Sequence, residues 1–443
     1  MERSGAGPRA AHRGGAAGVR RVSRLAAAVA AQRGLVAGLL DRLAEIGRDP
    51  PGITRHAYGE REDAAHALAA ETARALGLEV ARDAAANLAM TWPGADRTAP
   101  RVMLGSHFDS VRHGGNFDGA AGVVAALAAI AALREAGFAP RADITAMAFR
   151  CEEAVWFGLG LIGSRAALGL LPREALDARR ADTGETLAAH IRRSGGNPEA
   201  IAPGAPLIPP GSVRCFLEAH IEQAPSLVEA GLPLAIATGI PGNIRHAAIR
   251  ITGEDAHVGL PRRFRRDAAL AGAELFTALD ALWREEEAAG RAMAFTIGRF
   301  HTPVETHELT KVSGTFTLSL DLRAYDAAHL AALERRLHAI VAEVAARCRV
   351  SIELGPRNAA PVGPCDAALR AQLAEAAERM GVATMPLGSP ASHDAANFAA
   401  AGIPTGLVLV RNANGSHNPH EAMELDDLMA AVATFAAWLE AQA

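Results

Sequence analysis

RVMLGSHFDSVRHGGNFDGAAGVVAALAAIAALREA, running from Arg101 to Ala136, decides the fold. Its first seven residues are apolar up to His107 and read as a β-strand. From Gly119 onward Ala, Val and Leu recur with helical spacing. Between them lies a glycine-rich loop that carries Asp109, His113 and Asp118. Strand, loop and helix in that order open a βαβ unit, and in open α/β sheets the loop beyond a strand's carboxyl end borders the ligand crevice.

The same pattern recurs outward from this stretch. DITAMAFRCEE, from Asp143, is an apolar strand ending in Glu152 and Glu153. VRCFLEAHIEQ, from Val213, carries His220 near its end. GLVLVRNANGSHNPHE, Gly406 to Glu421, is a strand followed by a loop with His417 and His420. Each strand has its polar residues at its C-terminal end, so separated segments can converge on one site.

The middle of the chain has another rhythm. From Arg245 the order is strand (RHAAIRITGED), helix (267–287), strand (MAFTIGRF), strand (GTFTLSLDLR), helix (327–347) and strand (VSIEL). That is β-α-β-β-α-β, a split unit with its own small sheet. The expected fold class is therefore α/β: a doubly wound domain over 25–239 and 359–443, and an inserted domain over 240–358. Residues 1–24, Arg-rich and nearly free of acids, read as a disordered tail. The Arg bias is global, since Lys311 is the sole lysine, which weighs against a targeting signal.

A chain of 443 residues, 50% hydrophobic and 21% charged, can bury more than one core. Its formal net charge of −4 supplies no basic field, so neither nucleic acid nor an anionic membrane is an expected partner, and a small-molecule substrate is. No apolar run is long enough to span a bilayer. Cys151, Cys215, Cys348 and Cys365 are scattered singly, which suits a reducing cytoplasm.

A lone histidine on a strand is usually a packing residue. Here His107, His220 and His417 accompany Asp118, Glu152 and Glu153 at strand ends. Three imidazoles with carboxylates suit a pair of borderline divalent metals, one carboxylate bridging. Asp109, two residues beyond His107, can take the second ring N–H and fix the tautomer. His113 and His420 are expected to face solvent.

The motifs GSHFDSV, GGNFDGAAGV, CEEAVWFGLGLIGSRA, EAHIEQAP, GEDAHVG, LSLDLR, SPASHDA and SHNPHE, in that order, resemble the dinuclear metallopeptidase-like amidohydrolases. That family includes N-carbamoyl-L-amino acid hydrolase, β-ureidopropionase and allantoate amidohydrolase. The resemblance covers Leu35 to the C-terminus. It implies that 25–239 with 359–443 is the metal-binding catalytic domain, that the insert 240–358 is a lid joining a homodimer, and that each subunit holds two divalent ions, zinc or else manganese, cobalt or nickel. His107, Asp118 and His220 would hold one ion; Asp118, Glu153 and His417 would hold the other. Glu152 is then free to take a proton from water and pass it to the leaving nitrogen. His257 in the lid would stabilise the developing oxyanion across the dimer interface, and Arg323 would fork onto a substrate carboxylate. Gln223 and His393 would add polar contacts to the substrate.

Three departures touch the substrate pocket that the resemblance implies. Thr310 to Gly314 stand where the family has Asn-Val-Ile-Pro-Gly. Pro390, Ala391 and Ser392 replace Gly-Ala-Gly, and Trp156 stands where arginine is frequent. The expected activity is hydrolysis of a linear amide in a ureido amino acid or allantoate-like substrate. An aminoacylase or dipeptidase is the alternative within the family, and a non-catalytic small-molecule binder the alternative outside it.

Overall fold

The computed structural model describes residues 22–442. The tail expected over 1–24 lies outside the described residues as far as position 21. The chain divides into two compact units, one running through Thr238 and resuming at Cys365, the other Gly239–Pro364.

The first unit is built on an eight-stranded mixed sheet. Across it the order is Thr384–Leu387, Leu234–Ala237, Thr405–Val410, Val213–Ile221, Arg101–His107, Ile144–Phe149, Leu88–Trp92 and Glu79–Arg82. Four central strands, from Thr405–Val410 to Ile144–Phe149, run parallel. Antiparallel pairings flank them on both sides. Ile144–Phe149 and Thr405–Val410 are buried at every residue, as strands covered on both faces must be. From Arg101–His107 the chain first adds Ile144–Phe149 on one side and then Val213–Ile221 on the other. This reversal is a topological switch point, where strand ends open a crevice.

Successive strand residues point to opposite faces, and Phe216 and Leu217 show what covers each. Leu217 joins the core formed with Ala120–Glu135, Arg33–Gly47 and Leu425–Ala441. Phe216 stacks on Phe398 of the Asp394–Ala400 helix, ring centroids 3.9 Å apart, with Phe149 against both. The helix Ala120–Glu135 is almost wholly small and apolar and is buried from Ala120 to Leu133. Gly122 lets it lie on the sheet, because a Cβ there would fall 2.1 Å from the carbonyl oxygen of Ala219.

The unit Gly239–Pro364 has an all-antiparallel sheet with Met293–Thr296, Thr315–Ala324 and Gly242–Thr252 side by side. Ser351–Glu353 and Arg357–Ala360 both pair with the last of these. Residues of Thr315–Ala324 are alternately half-buried and buried. The inward set, Phe316, Leu318, Leu320 and Leu322, packs with Leu275 and Leu279 of the helix Ala268–Ala288 and Leu333 and Leu337 of Ala327–Cys348. Asp267 and Asp326 cap those two helices through their side chains. No helix among the described residues is long and apolar enough to cross a membrane.

Candidate metal centre

The parallel strands deliver two imidazoles side by side. His107 ends Arg101–His107 and His220 stands one residue from the end of Val213–Ile221. Their rings lie 5.7 Å apart. Nδ1–H of His220 donates to the carbonyl of Ile221 at 2.9 Å. Nδ1–H of His107 donates to the carbonyl of Asp109 at 3.1 Å, with Asp109 Oδ1 3.3 Å away. In the neutral form of either ring the bare nitrogen would therefore be Nε2, and both Nε2 atoms face Asp118 Oδ1, at 3.6 Å from His107 and 3.2 Å from His220. Gly119 makes this approach possible. It sits at φ +65°, and a Cβ there would fall 2.4 Å from the His107 ring.

A second set shares Asp118. Nε2 of His417 lies 3.3 Å from Asp118 Oδ2 and 3.3 Å from Glu153 Oε1. The ligand atoms of His107, Asp118 and His220, and those of Asp118, Glu153 and His417, each lie within 4.8 Å of one another. Glu152 belongs to neither set, its Oε2 3.9 Å from His107 Nε2. Cys151, Gln223 and His417 all hold positive φ without being glycine, a backbone cost that concentrates at functional sites.

Whether a divalent cation fits can be judged from the donors. Nε2 of His107 is buried and unpartnered, an arrangement that costs free energy unless something accepts its lone pair. Imidazole nitrogens with carboxylate oxygens are the donor set of borderline divalent metals. Electrostatics points the same way. Burial alone would raise Asp118, yet hydrogen bonds from His220 and His417 hold it well below the usual carboxylate range. His417 is pushed up to about 11 by Asp118 and Glu153. Protons on the imidazoles offset carboxylate charge that a cation would otherwise neutralise. Burial raises Glu152 well above its ordinary value, His107 opposing and Glu153 adding to the shift.

The other residues singled out in the sequence fall as follows. The Gln223 amide N–H donates to Asp118 Oδ2 at 2.7 Å, and its Oε1 is unpartnered. His393 is buried, its ring 4.3 Å from that of His220 and its Nε2 2.7 Å from Ser389 Oγ. His113 and His420 are exposed. His257 and Arg323 belong to the inserted unit. His257 pairs with Lys311 in a two-stranded ribbon, and its Nδ1 accepts the Gly259 N–H at 3.1 Å, which leaves Nε2 as the donor of the neutral ring. Arg323 meets Asp321 through two N–H groups, at 3.1 and 3.0 Å. Trp156 is fully buried, donates to the carbonyl of Ser110 at 2.9 Å and packs on His56.

Several supporting groups escape sequence reasoning. Arg55, fully buried, spans the loop between His107 and Asp118, donating to the carbonyl of Phe108 and to Asn116 Oδ1. Burial lowers it to about 10, while Glu421, Asp109 and Asp118 oppose the shift. Glu62 accepts the N–H groups of Tyr58 and Cys151 and pairs with Arg150 at 2.8 Å. Glu218 accepts from Ser106 and from the backbone of Ala395. Its period-two relation to His220 was the available signal.

A model of peptidase family M20/M25/M40 matches residues 103–441. The chain belongs to that family. This M20 chain is 34% identical over 393 residues to the N-carbamoyl-L-amino acid amidohydrolase of Geobacillus stearothermophilus, covering 88% of this chain and 93% of that protein. It is 29% identical to the allantoate amidohydrolase of Escherichia coli, covering 90% and 95%. The crystal structure of a hydantoinase/carbamoylase family amidase from Burkholderia ambifaria matches with a TM-score of 0.78 and 30% identity, over 93% of this chain and 97% of that one.

Proposed function

We propose that this M20 chain is a divalent-metal-dependent amidohydrolase cleaving a linear C–N amide bond in an N-carbamoyl (ureido) amino acid or an allantoate-like substrate. The observation that carries the reading is Glu152, a carboxyl at the edge of two ligand sets that share Asp118 and a member of neither. The names of the relatives supply the substrate class.

His107, Asp118 and His220 would hold one ion, and Asp118, Glu153 and His417 a second; zinc, manganese, cobalt and nickel all accept these donors. Such ions, when bound, lower the pKa of water and polarise a carbonyl oxygen. Glu152 takes a proton from the attacking water and delivers it to the leaving nitrogen. A carboxyl raised by burial holds that proton more firmly than an exposed one would, which suits a group that must take it up and then hand it on. Asp109 holds the His107 ring with its bare nitrogen inward.

On the inserted unit, His257 is proposed as the oxyanion donor through Nε2–H, and Arg323 as the partner of a substrate carboxylate, oriented by Asp321. Gln223 and His393 are proposed to contact substrate. A homodimer, with His257 serving the partner's site, follows from the family resemblance. Four free cysteines accord with a cytoplasmic location.

The test is release of the free amino acid from N-carbamoyl, N-formyl and N-acetyl amino acids, and of ammonia from the N-carbamoyl substrates and allantoate, with and without added metal. Release from a ureido substrate, abolished by chelation, is expected. Glu152→Gln should lose about 10²- to 10⁴-fold while keeping its cations. Turnover of the N-acetyl substrates alone would replace this reading with an aminoacylase.

A further inference from the structure

The two halves of the centre are built differently. His107 and His220 are carried by neighbouring parallel strands, with side chains 1% and 2% exposed and each Nδ1 tied to a nearby carbonyl. His417 lies in the loop after Thr405–Val410, at φ +61°, with its side chain 51% exposed. A strand ladder holds the first pair, whereas the loop needs another restraint.

Glu421 supplies one. It is buried, and its Oε1 accepts the backbone N–H of Phe117 at 2.8 Å and that of Asp118 at 3.2 Å. Ser416 Oγ, next to His417, sits 2.6 Å from Glu421 Oε2 and 2.6 Å from Asp118 Oδ2. That Oδ2 is the oxygen facing His417, while Oδ1 faces His220. Gly115 makes room for the brace, since a Cβ there would fall 2.2 Å from the Glu421 carboxylate. One carboxylate therefore grips the peptide of Asp118 directly and the His417 loop through its own chain, while the single Ser416 hydroxyl stands between it and Asp118 Oδ2.

We infer that Glu421 is a positioning residue whose loss falls chiefly on the Asp118/Glu153/His417 half of the centre, since in the other half the sheet itself holds His107 and His220 and only the shared Asp118 leans on Glu421. The inference rests on the metal reading above. It makes the two cation positions unequal, the strand-built one tight and the loop-built one dependent on the Glu421 brace. Loss of an outer-shell partner typically weakens metal binding by about 10- to 100-fold, and here the loss falls more heavily on the position that also depends on the His417 loop.

The experiment uses the full chain, stripped with chelator and titrated with Co²⁺ or Zn²⁺, reading stoichiometry, both affinities and the Co²⁺ absorption spectrum. Wild type should take up two ions. Glu421→Ala should bind the weaker ion about 10- to 100-fold less well and lose clearly less affinity for the tighter one. Glu421→Gln should restore both, because its amide oxygen still accepts the two N–H groups and its amide N–H can donate to Ser416. Ser416→Ala, a smaller change at a partly exposed residue, reads the same brace if Glu421→Ala does not fold. Two ions at unchanged affinity in Glu421→Ala and Ser416→Ala, or equal weakening of both, would overturn the inference. A wild-type chain that binds no divalent ion would instead overturn the metal reading.

Discussion

Asp109 accepts the backbone N–H of Glu152 at 3.0 Å through Oδ1. Its Oδ2 takes the N–H of Glu153 at the same distance, so one buried carboxylate seats both acids while facing the His107 ring. Three candidate residues from two strands thus depend on one side chain.

Asp109→Asn keeps the shape but offers one acceptor oxygen where two are used. One backbone N–H at Glu152 or Glu153 is left facing an amide NH₂, a loss of about 1–3 kcal/mol. Urea denaturation of the cation-free chain should show that loss. Cation affinity should fall about 10- to 100-fold. Wild-type values for both would show that Asp109 neither seats the two acids nor orients His107.

Gly119→Ala should fold and yet fail to assemble the centre. The new methyl must occupy space 2.4 Å from the His107 ring, at φ +65°, where an L-residue is strained. We expect loss of the cation held by His107, with activity lost in proportion. Isothermal titration with Zn²⁺ checks it, and an unaltered first binding step would contradict it.

Glu286 makes an acid-dependent contribution to the inserted unit. Hydrogen bonds from Arg291 and then His329 hold its carboxyl down at about 2, against an ordinary 4.5. A depressed carboxylate contributes stability above its unfolded pKa and loses it as pH falls through the folded value. Glu286→Gln should therefore be less stable than wild type at neutral pH, and the gap should close between about pH 4.5 and 2. Parallel acid-unfolding curves with a constant gap would count against the pairing.

The proposed exchange of His257 between protomers can be read by mixing. Glu152→Gln and His257→Ala should each be nearly inactive as homodimers. After random subunit exchange, half the dimers are hybrids with one intact site, so activity should recover to about a quarter of wild type. No recovery after verified exchange would place His257 in its own chain's chemistry or outside it.

The sequence by itself determined the architecture. The strand-loop-helix of Arg101 to Ala136 and the β-α-β-β-α-β order of the inserted unit are local periodicities, set by which residues must be buried, and they survive without knowledge of any distant contact. It also grouped His107, Asp118, Glu152, Glu153, His220 and His417, because polar residues at the ends of apolar strands have few packing roles, and the family resemblance set Glu152 apart from the ligands. The antiparallel strands at the sheet's edges, Glu79–Arg82 and Leu88–Trp92, were not singled out, their register being set by neighbours rather than by their own pattern. Only the tertiary structure decided what supports the centre. Glu421 meets Phe117 and Asp118 across 304 and 303 residues of chain, and a glutamate in a loop looks like any solvated acid until those partners are known. Trp156 is another case: in sequence it is only a departure from the family's motif, and its burial and its bond to the Ser110 carbonyl are known from the fold alone. Periodicity is a property of neighbours in sequence, whereas burial and hydrogen bonding of a loop side chain are settled by segments that only folding brings together.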